Sequence, residues 1–115
     1  MNFTACSWNI YVYGERNYRG IADLIRKNSI DIIGIQEGAI YYDTDKSFNI
    51  MKRIASELNY NFVYFTACDK RPKKPLELGN AIISRFPIIS SQVFPLNHPT
   101  WSSKGVSDSE PRNLI

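Results

Sequence analysis

The residues in this 115-residue chain best suited to chemistry are Asn9 and the pair Gln36-Glu37. Asn9 closes the run Phe3-Thr-Ala-Cys-Ser-Trp-Asn-Ile10, whose aromatic and β-branched character predicts a strand. Gln36-Glu37 closes Ile30-Asp-Ile-Ile-Gly-Ile35, a nearly continuous apolar run of the kind found in strands buried on both faces. A carboxylate beside a carboxamide offers oxygen donors to a hard cation such as Mg²⁺, which takes one or two carboxylates and completes its shell with water and substrate phosphate oxygens. A cation held there polarises a phosphoryl oxygen and helps generate a nucleophile from water. Each residue by itself also has a plain reading. Gln-Glu after a strand is an ordinary loop start, and Asn serves widely in caps and turns.

The elements that must position these residues follow from periodicity. Between the two strands, Tyr18, Ile21, Ala22 and Ile25 fall at i, i+3, i+4 and i+7, which predicts an amphipathic helix ending near Asn28. Strand, helix and strand make a βαβ unit with parallel strands and a right-handed crossover. Both strand ends then emerge at one edge of the sheet, where open α/β sheets bind ligands.

Further along, Met51, Ile54, Ala55 and Leu58 repeat the helical spacing. Phe62–Thr66 and Gly79–Ser84 read as strands, with a basic loop between them, and Ile88–Phe94 reads as the hairpin partner of the second after a turn at Phe86-Pro87. Residues 95–108 are rich in Pro, Ser, Asn and Gly and read as loop, and Arg112–Ile115 as the opening of one more strand. The sequence stopping inside a strand pattern leaves backbone groups to be paired elsewhere, so the expectation is an N-terminal portion of a single larger domain covering residues 1–115.

Composition narrows the function classes. Apolar residues at 43% and charged residues at 22% are the balance of a folded globular chain. No apolar run approaches the roughly 20 residues of a membrane span, and no export signal opens the sequence, so a cytoplasmic address is expected. Cys6 and Cys68 lack metal-ligand spacing and are too few for a disulfide framework. Lys70, Arg71, Lys73 and Lys74 concentrate the positive charge, leaving ten basic residues against eleven acidic ones elsewhere. Such a loop suits steering of a phosphate-bearing substrate and equally suits a solvated hairpin tip. No glycine-rich phosphate loop follows the first strand, which argues against a small nucleotide-binding domain.

Three blocks taken together add a resemblance. Ser7-Trp-Asn-Ile10, Asp31-Ile-Ile-Gly-Ile-Gln-Glu37 and Gly79-Asn-Ala-Ile-Ile-Ser-Arg-Phe-Pro-Ile88 resemble, in order and spacing, successive blocks of the endonuclease/exonuclease/phosphatase superfamily, and Glu110-Pro-Arg112 resembles a fourth. The resemblance implies an α/β fold, half of a four-layer sandwich in which two mixed sheets face each other under outer helices. It implies a metal-dependent hydrolase of phosphodiesters or phosphomonoesters, nucleic acid among the substrates, using Mg²⁺ with Mn²⁺ as the substitute. Glu37 would be a direct metal ligand, with Asn9 beside it on the metal or the scissile phosphate. Gln36 would orient its neighbours, and Asn80 and Arg112, which fall in family-like blocks, would contact substrate, Arg112 through its guanidinium on phosphate oxygens or else serving a plain salt bridge. His98 precedes the Glu-Pro-Arg block, whereas the family's catalytic histidines follow it, so it inherits no role. The downstream Asp-x-Asn and Asp-His blocks of that family have no counterpart in these 115 residues. The expected partner is therefore the C-terminal half of the same domain, and the chain alone is expected to be inactive. The alternative is a non-catalytic remnant or interaction module that keeps half of the fold. Substrate identity is open: Tyr11, Tyr13, Tyr41 and Tyr42 near the proposed edge suit stacked bases, and equally lipid- or sugar-facing surfaces.

Overall fold

The computed structural model describes residues 2–11, 17–42, 48–71, 76–95 and 113–114, with residues 62–71 and 113–114 described by their backbone course. Strand β1 (Ala5–Asn9) leads to helix α1 (Tyr18–Lys27) and strand β2 (Ile32–Tyr41). A short β3 (Phe48–Asn49) runs directly into α2 (Ile50–Leu58), followed by β4 (Phe62–Arg71) and β5 (Leu76–Ser84). Two-residue strands β6 (Phe94–Pro95) and β7 (Asn113–Leu114) pair with each other.

The helices form where the apolar spacing places them, and side chains fix their ends. Asn17 caps α1 by accepting from the Gly20 amide, and Asn49 caps α2 by accepting from the Lys52 amide, both at 3.1 Å. Each helix stops in a left-handed residue. After α1 the Asn28–Ser29 turn closes with Ser29 at φ 52° and the Ile30 amide reaching back to the Ile25 carbonyl. After α2 it is Asn59 at φ 57°, with Tyr60 reaching back to Ala55.

The main sheet has the order β1-β2-β5-β4, with β3 attached to β2. Only β1 and β2 run parallel; β2–β5 and β4–β5 are antiparallel, so the sheet is mixed. Both helices cover one face. Ile33, Ile35 and Ala39 of β2 and Leu78, Ala81 and Ile83 of β5 are buried there against Ala22 and Ile25 of α1 and Ile50, Met51, Ile54 and Ala55 of α2. Because side chains alternate along a strand, the opposite face carries Ala5, Ser7 and Asn9 of β1, Ile32, Gly34 and Gln36 of β2, and Asn80 and Ile82 of β5.

Two expectations change. The strand holding Gln36-Glu37 does not end there but continues to Tyr41. The segment after Pro87 is not the hairpin partner of β5, because both edges of β5 are already occupied by β2 and β4. The turn after β5 is instead closed by Ser84, whose Oγ accepts from the Phe86 amide at 2.9 Å, and by the Arg85 amide, which donates to the Asp31 carbonyl. Among the described residues no helix is long and apolar enough to cross a membrane.

Candidate active site on the open sheet face

Asn9 and Glu37 meet through the β1–β2 register. The parallel ladder sets Asn9 against Gln36, and the Ile10 amide donates to the Gln36 carbonyl at 3.1 Å. The Asn9 side chain is then fixed at both ends. Its Oδ1 accepts from the Tyr11 amide at 2.9 Å, which turns its Nδ2 toward Glu37, where it donates to Oε1 at 3.1 Å. One residue pair back, Gln36 Nε2 donates to Ser7 Oγ at 3.0 Å.

Neighbouring residues of a regular strand point to opposite faces, yet Gln36 and Glu37 both bond to open-face residues of β1. A β-bulge makes this compatible with the sheet. The β2–β5 register passes from Ile35↔Ala81 directly to Gly38↔Gly79, so Gln36 and Glu37 together oppose Asn80 alone. Glu37 takes up the extra residue at φ 56°, in the left-handed region that glycine usually fills. Gly38 follows, buried over α2, and a Cβ there would come within 2.7 Å of Met51 Sδ. The absent side chain lets the bulge settle onto the helix layer, and the carboxylate is lifted to the other side.

The site therefore has Glu37, Asn9, Gln36 and Ser7 joined by hydrogen bonds, with Asn80 facing the bulge from β5. On its far side Asn80 is registered against Thr66 of β4. Ser7 was missed in the sequence; its alternation with Asn9 on the same strand face is the signal that would have found it. Arg112 and His98 lie outside the described residues, as do Tyr13, Lys73 and Lys74. Lys70 and Arg71 belong to β4, so part of the expected basic loop is strand.

The edge aromatics divide. Tyr41 packs on Phe48 at 6.5 Å between ring centroids, and Phe48 on Tyr18 at 5.8 Å. The Tyr42 hydroxyl is held above its ordinary pKa by burial and then by Glu77, to which it hydrogen-bonds. Tyr11 is 62% exposed.

An apolar cleft of about 280 Å³ lies elsewhere, between β1 and α1, walled by Trp8, Leu24, Ile25 and Ile30. Cys6 lines it, and burial raises the pKa of its thiol. Ser7 of the polar cluster also lines this cleft, whereas Asn9, Gln36 and Glu37 do not.

Comparison with known proteins agrees with this architecture. The family model described as "Endonuclease/Exonuclease/phosphatase family" matches residues 6–110. An endonuclease/exonuclease/phosphatase from Beutenbergia cavernae superimposes with a TM-score of 0.70 at 21% identity, over 93% of this chain and 31% of that one. A family protein from Leptotrichia buccalis superimposes with a TM-score of 0.60 at 15% identity, over 82% of this chain and 42% of that one. The chain thus spans less than half the length of either. No curated protein matches the chain significantly. With the matched segment containing β1, the Gln-Glu bulge and the Gly79–Ile88 block in order, this chain belongs to the endonuclease/exonuclease/phosphatase family, a family of hydrolases.

Proposed function

We propose that this chain carries the metal-holding part of a site that hydrolyses phosphate esters. The supporting observation is the Asn9–Glu37 hydrogen bond at 3.1 Å, made across the β1–β2 ladder by a bulge that turns Glu37 onto the open face. Glu37 holds a divalent cation through its carboxylate, Mg²⁺ first and Mn²⁺ as a substitute. The Glu37 carboxylate fits such an ion, since Mg²⁺ takes only one or two carboxylates from protein; the Asn9 Oδ1 is taken by the Tyr11 amide and its Nδ2 faces Glu37, so Asn9 would orient the carboxylate rather than ligate. When bound, the cation supplies charge against the phosphoryl oxygen and acidifies water.

The remaining roles belong to the chain's own residues. Asn9, clamped by the Tyr11 amide, holds Glu37 in one rotamer and presents its amide beside the phosphate position. Gln36, tied to Ser7, keeps the bulge from relaxing into a regular strand. Asn80 and Arg112 contact the phosphate ester, Asn80 from across the bulge. The 115 residues contain no Asp-x-Asn and no Asp-His sequence. General-base activation of the water and most of the transition-state stabilisation come from groups outside this chain, and the chain alone turns over no substrate.

The test is Mn²⁺ binding to the purified chain followed by electron paramagnetic resonance, with hydrolysis of a generic phosphodiester in parallel. Binding that disappears in Glu37→Gln, without turnover, is the expected result. Turnover abolished by Glu37→Gln would overturn the inactivity of the chain. No Mn²⁺ binding would overturn the metal-holding role and leave a non-catalytic interaction module as the better reading.

A further inference from the structure

Gly38, directly after the bulged Glu37, is not a glycine for the sake of its own backbone, because its φ lies outside the left-handed region. What the position requires is room. A Cβ there would meet Met51 Sδ at 2.7 Å, with Ile35 Cγ2 and the Gly79 carbonyl next at 3.5 Å. Ile35 and Gly79 belong to the sheet itself, so Met51 is the wall supplied by the helix layer, and its side chain is fully buried. Burial along β2 shows the same descent. Half-buried and buried residues alternate from Ile32 to Ile35, then Gln36 and Glu37 are both half-buried, and Gly38 and Ala39 are both buried. The strand is let down onto α2 immediately behind the carboxylate.

Met51 is itself tied to the strand it supports. Asn49, two residues earlier, pairs with Ile40 of β2 through β3, and its side chain caps α2 by accepting from the Lys52 amide. Gly38, Ile40, Asn49 and Met51 thus form a short closed circuit, which sets the height of Met51 above β2 locally. On the opposite face the Glu37 carboxylate accepts from Asn9 Nδ2 at 3.1 Å. We propose that Met51 is a positioning residue: pressed on Gly38 from the helix side, it holds the bulge at the height that brings Glu37 to Asn9, and so sets how tightly the site holds its cation. The inference rests on the metal-holding reading above and adds to it a residue from the layer behind the sheet. Groups that orient a metal ligand without touching the ion govern its affinity by about 10- to 100-fold. A thioether suits the task, being unbranched, polarizable and able to fill an irregular gap.

The experiment uses the full 115-residue chain and two readouts, Mn²⁺ affinity by electron paramagnetic resonance and, without metal, the NMR resonance of the Asn9 side-chain amide. Met51→Ala opens the space behind Gly38, and Met51→Leu refills most of it. Ile54→Ala, one turn further along α2, removes an equally buried side chain that is not among the atoms nearest Gly38. Met51→Ala should weaken Mn²⁺ binding about tenfold and move the Asn9 resonance, and Met51→Leu should bring both back toward the parent. Ile54→Ala should lose stability in urea with both readouts unchanged. Gly38→Ala, which presses on Met51 from the strand side, should also move the resonance and weaken binding, so the outcome does not depend on Met51→Ala folding. An unmoved Asn9 resonance in both Met51→Ala and Gly38→Ala, or changes of the same size in Ile54→Ala, would overturn the proposal whatever happens to stability. The two readings fail separately. Mn²⁺ binding lost in Glu37→Gln but unchanged in Met51→Ala and Gly38→Ala sinks the role of Met51 alone. No Mn²⁺ binding by the parent, with the Asn9 resonance still moved by Met51→Ala, sinks the metal site and leaves the support of the carboxylate standing.

Discussion

Strand β2 has one carboxylate just before its start and another at its central bulge, and the two are used in opposite ways. Asp31, just before the strand, accepts from the Thr4 amide through Oδ2 at 2.9 Å and pairs with Arg85 through Oδ1 at 2.8 Å. Its backbone carbonyl takes the Arg85 amide as well, so one residue stitches the entrance of β1 to the exit of β5. The Arg85 guanidinium also lies over the Phe86 ring, 4.7 Å from its centroid, and Phe86 meets Phe3 edge-on. Glu37, at the other pole, bonds to a neutral amide and stands on left-handed backbone in a bulge. The first carboxylate is bound up in holding the sheet together. The second is presented by a sheet that is locally deformed to do so. The two motifs that contain Asp31 and Arg85 therefore have one end that clasps the sheet and another that meets at the bulge.

The comparison can be broken most forcefully at the bulge. Gly38→Ala places a Cβ 2.7 Å from the Sδ of Met51, which is fully buried, so the helix layer or the bulge must shift. Overpacking of this kind costs about 2 kcal/mol. The expected result in urea denaturation is a loss of that size, and a much smaller increment when the same change is made in a Met51→Ala background; an undiminished increment there would mean that the bulge does not rest on this contact. Glu37→Gly should act in the other direction. Glycine accepts φ 56° without the Cβ clash, worth about 1 kcal/mol against its own chain entropy, so stability should hold or rise slightly while cation binding disappears. A clear loss of stability would show that the carboxylate is architectural after all.

The Asp31 pole is sharpened by pH. The Thr4 amide chiefly, and then Arg85, hold its carboxyl below the usual value of 3.8 against the opposing effect of its partial burial. A group whose pKa is depressed on folding binds its proton more readily when unfolded. Its contribution is present in full above the unfolded value and is lost as pH falls through the lower folded value. Asp31→Asn should therefore lower the urea midpoint modestly at pH 7 and flatten its fall below about pH 4. An acid-side slope equal to that of the parent would remove Asp31 from the clasp.

Much of the local structure was legible. Both helices form on the apolar spacings of Ile21, Ala22 and Ile25 and of Met51, Ile54 and Ala55, because burial of one face decides a helix of that length. The first strand and the strand through Ile33 and Ile35 also formed, and Asn9 and Glu37 came together on the open face at the β2 bulge rather than at the strand's end. The partner of β5 was misread because Ile88–Phe94 has strand-like composition, and composition does not reveal which strand edges are already taken. The extension of β2 past Glu37 was missed because Gln36-Glu37 reads locally as a loop start.

The sequence by itself determined the α/β class, the helix positions and the family, since each is written in spacing or in contiguous motifs. Tertiary structure decided how those residues face. A bulge exists only as a mismatch between two paired strands, here Gln36 and Glu37 against Asn80, and β5 reaches β2 from more than forty positions away. That pairing turns Glu37 beside Asn9 and lets Gly38 settle on Met51. No period along one strand encodes such a mismatch, because it depends on the register of both.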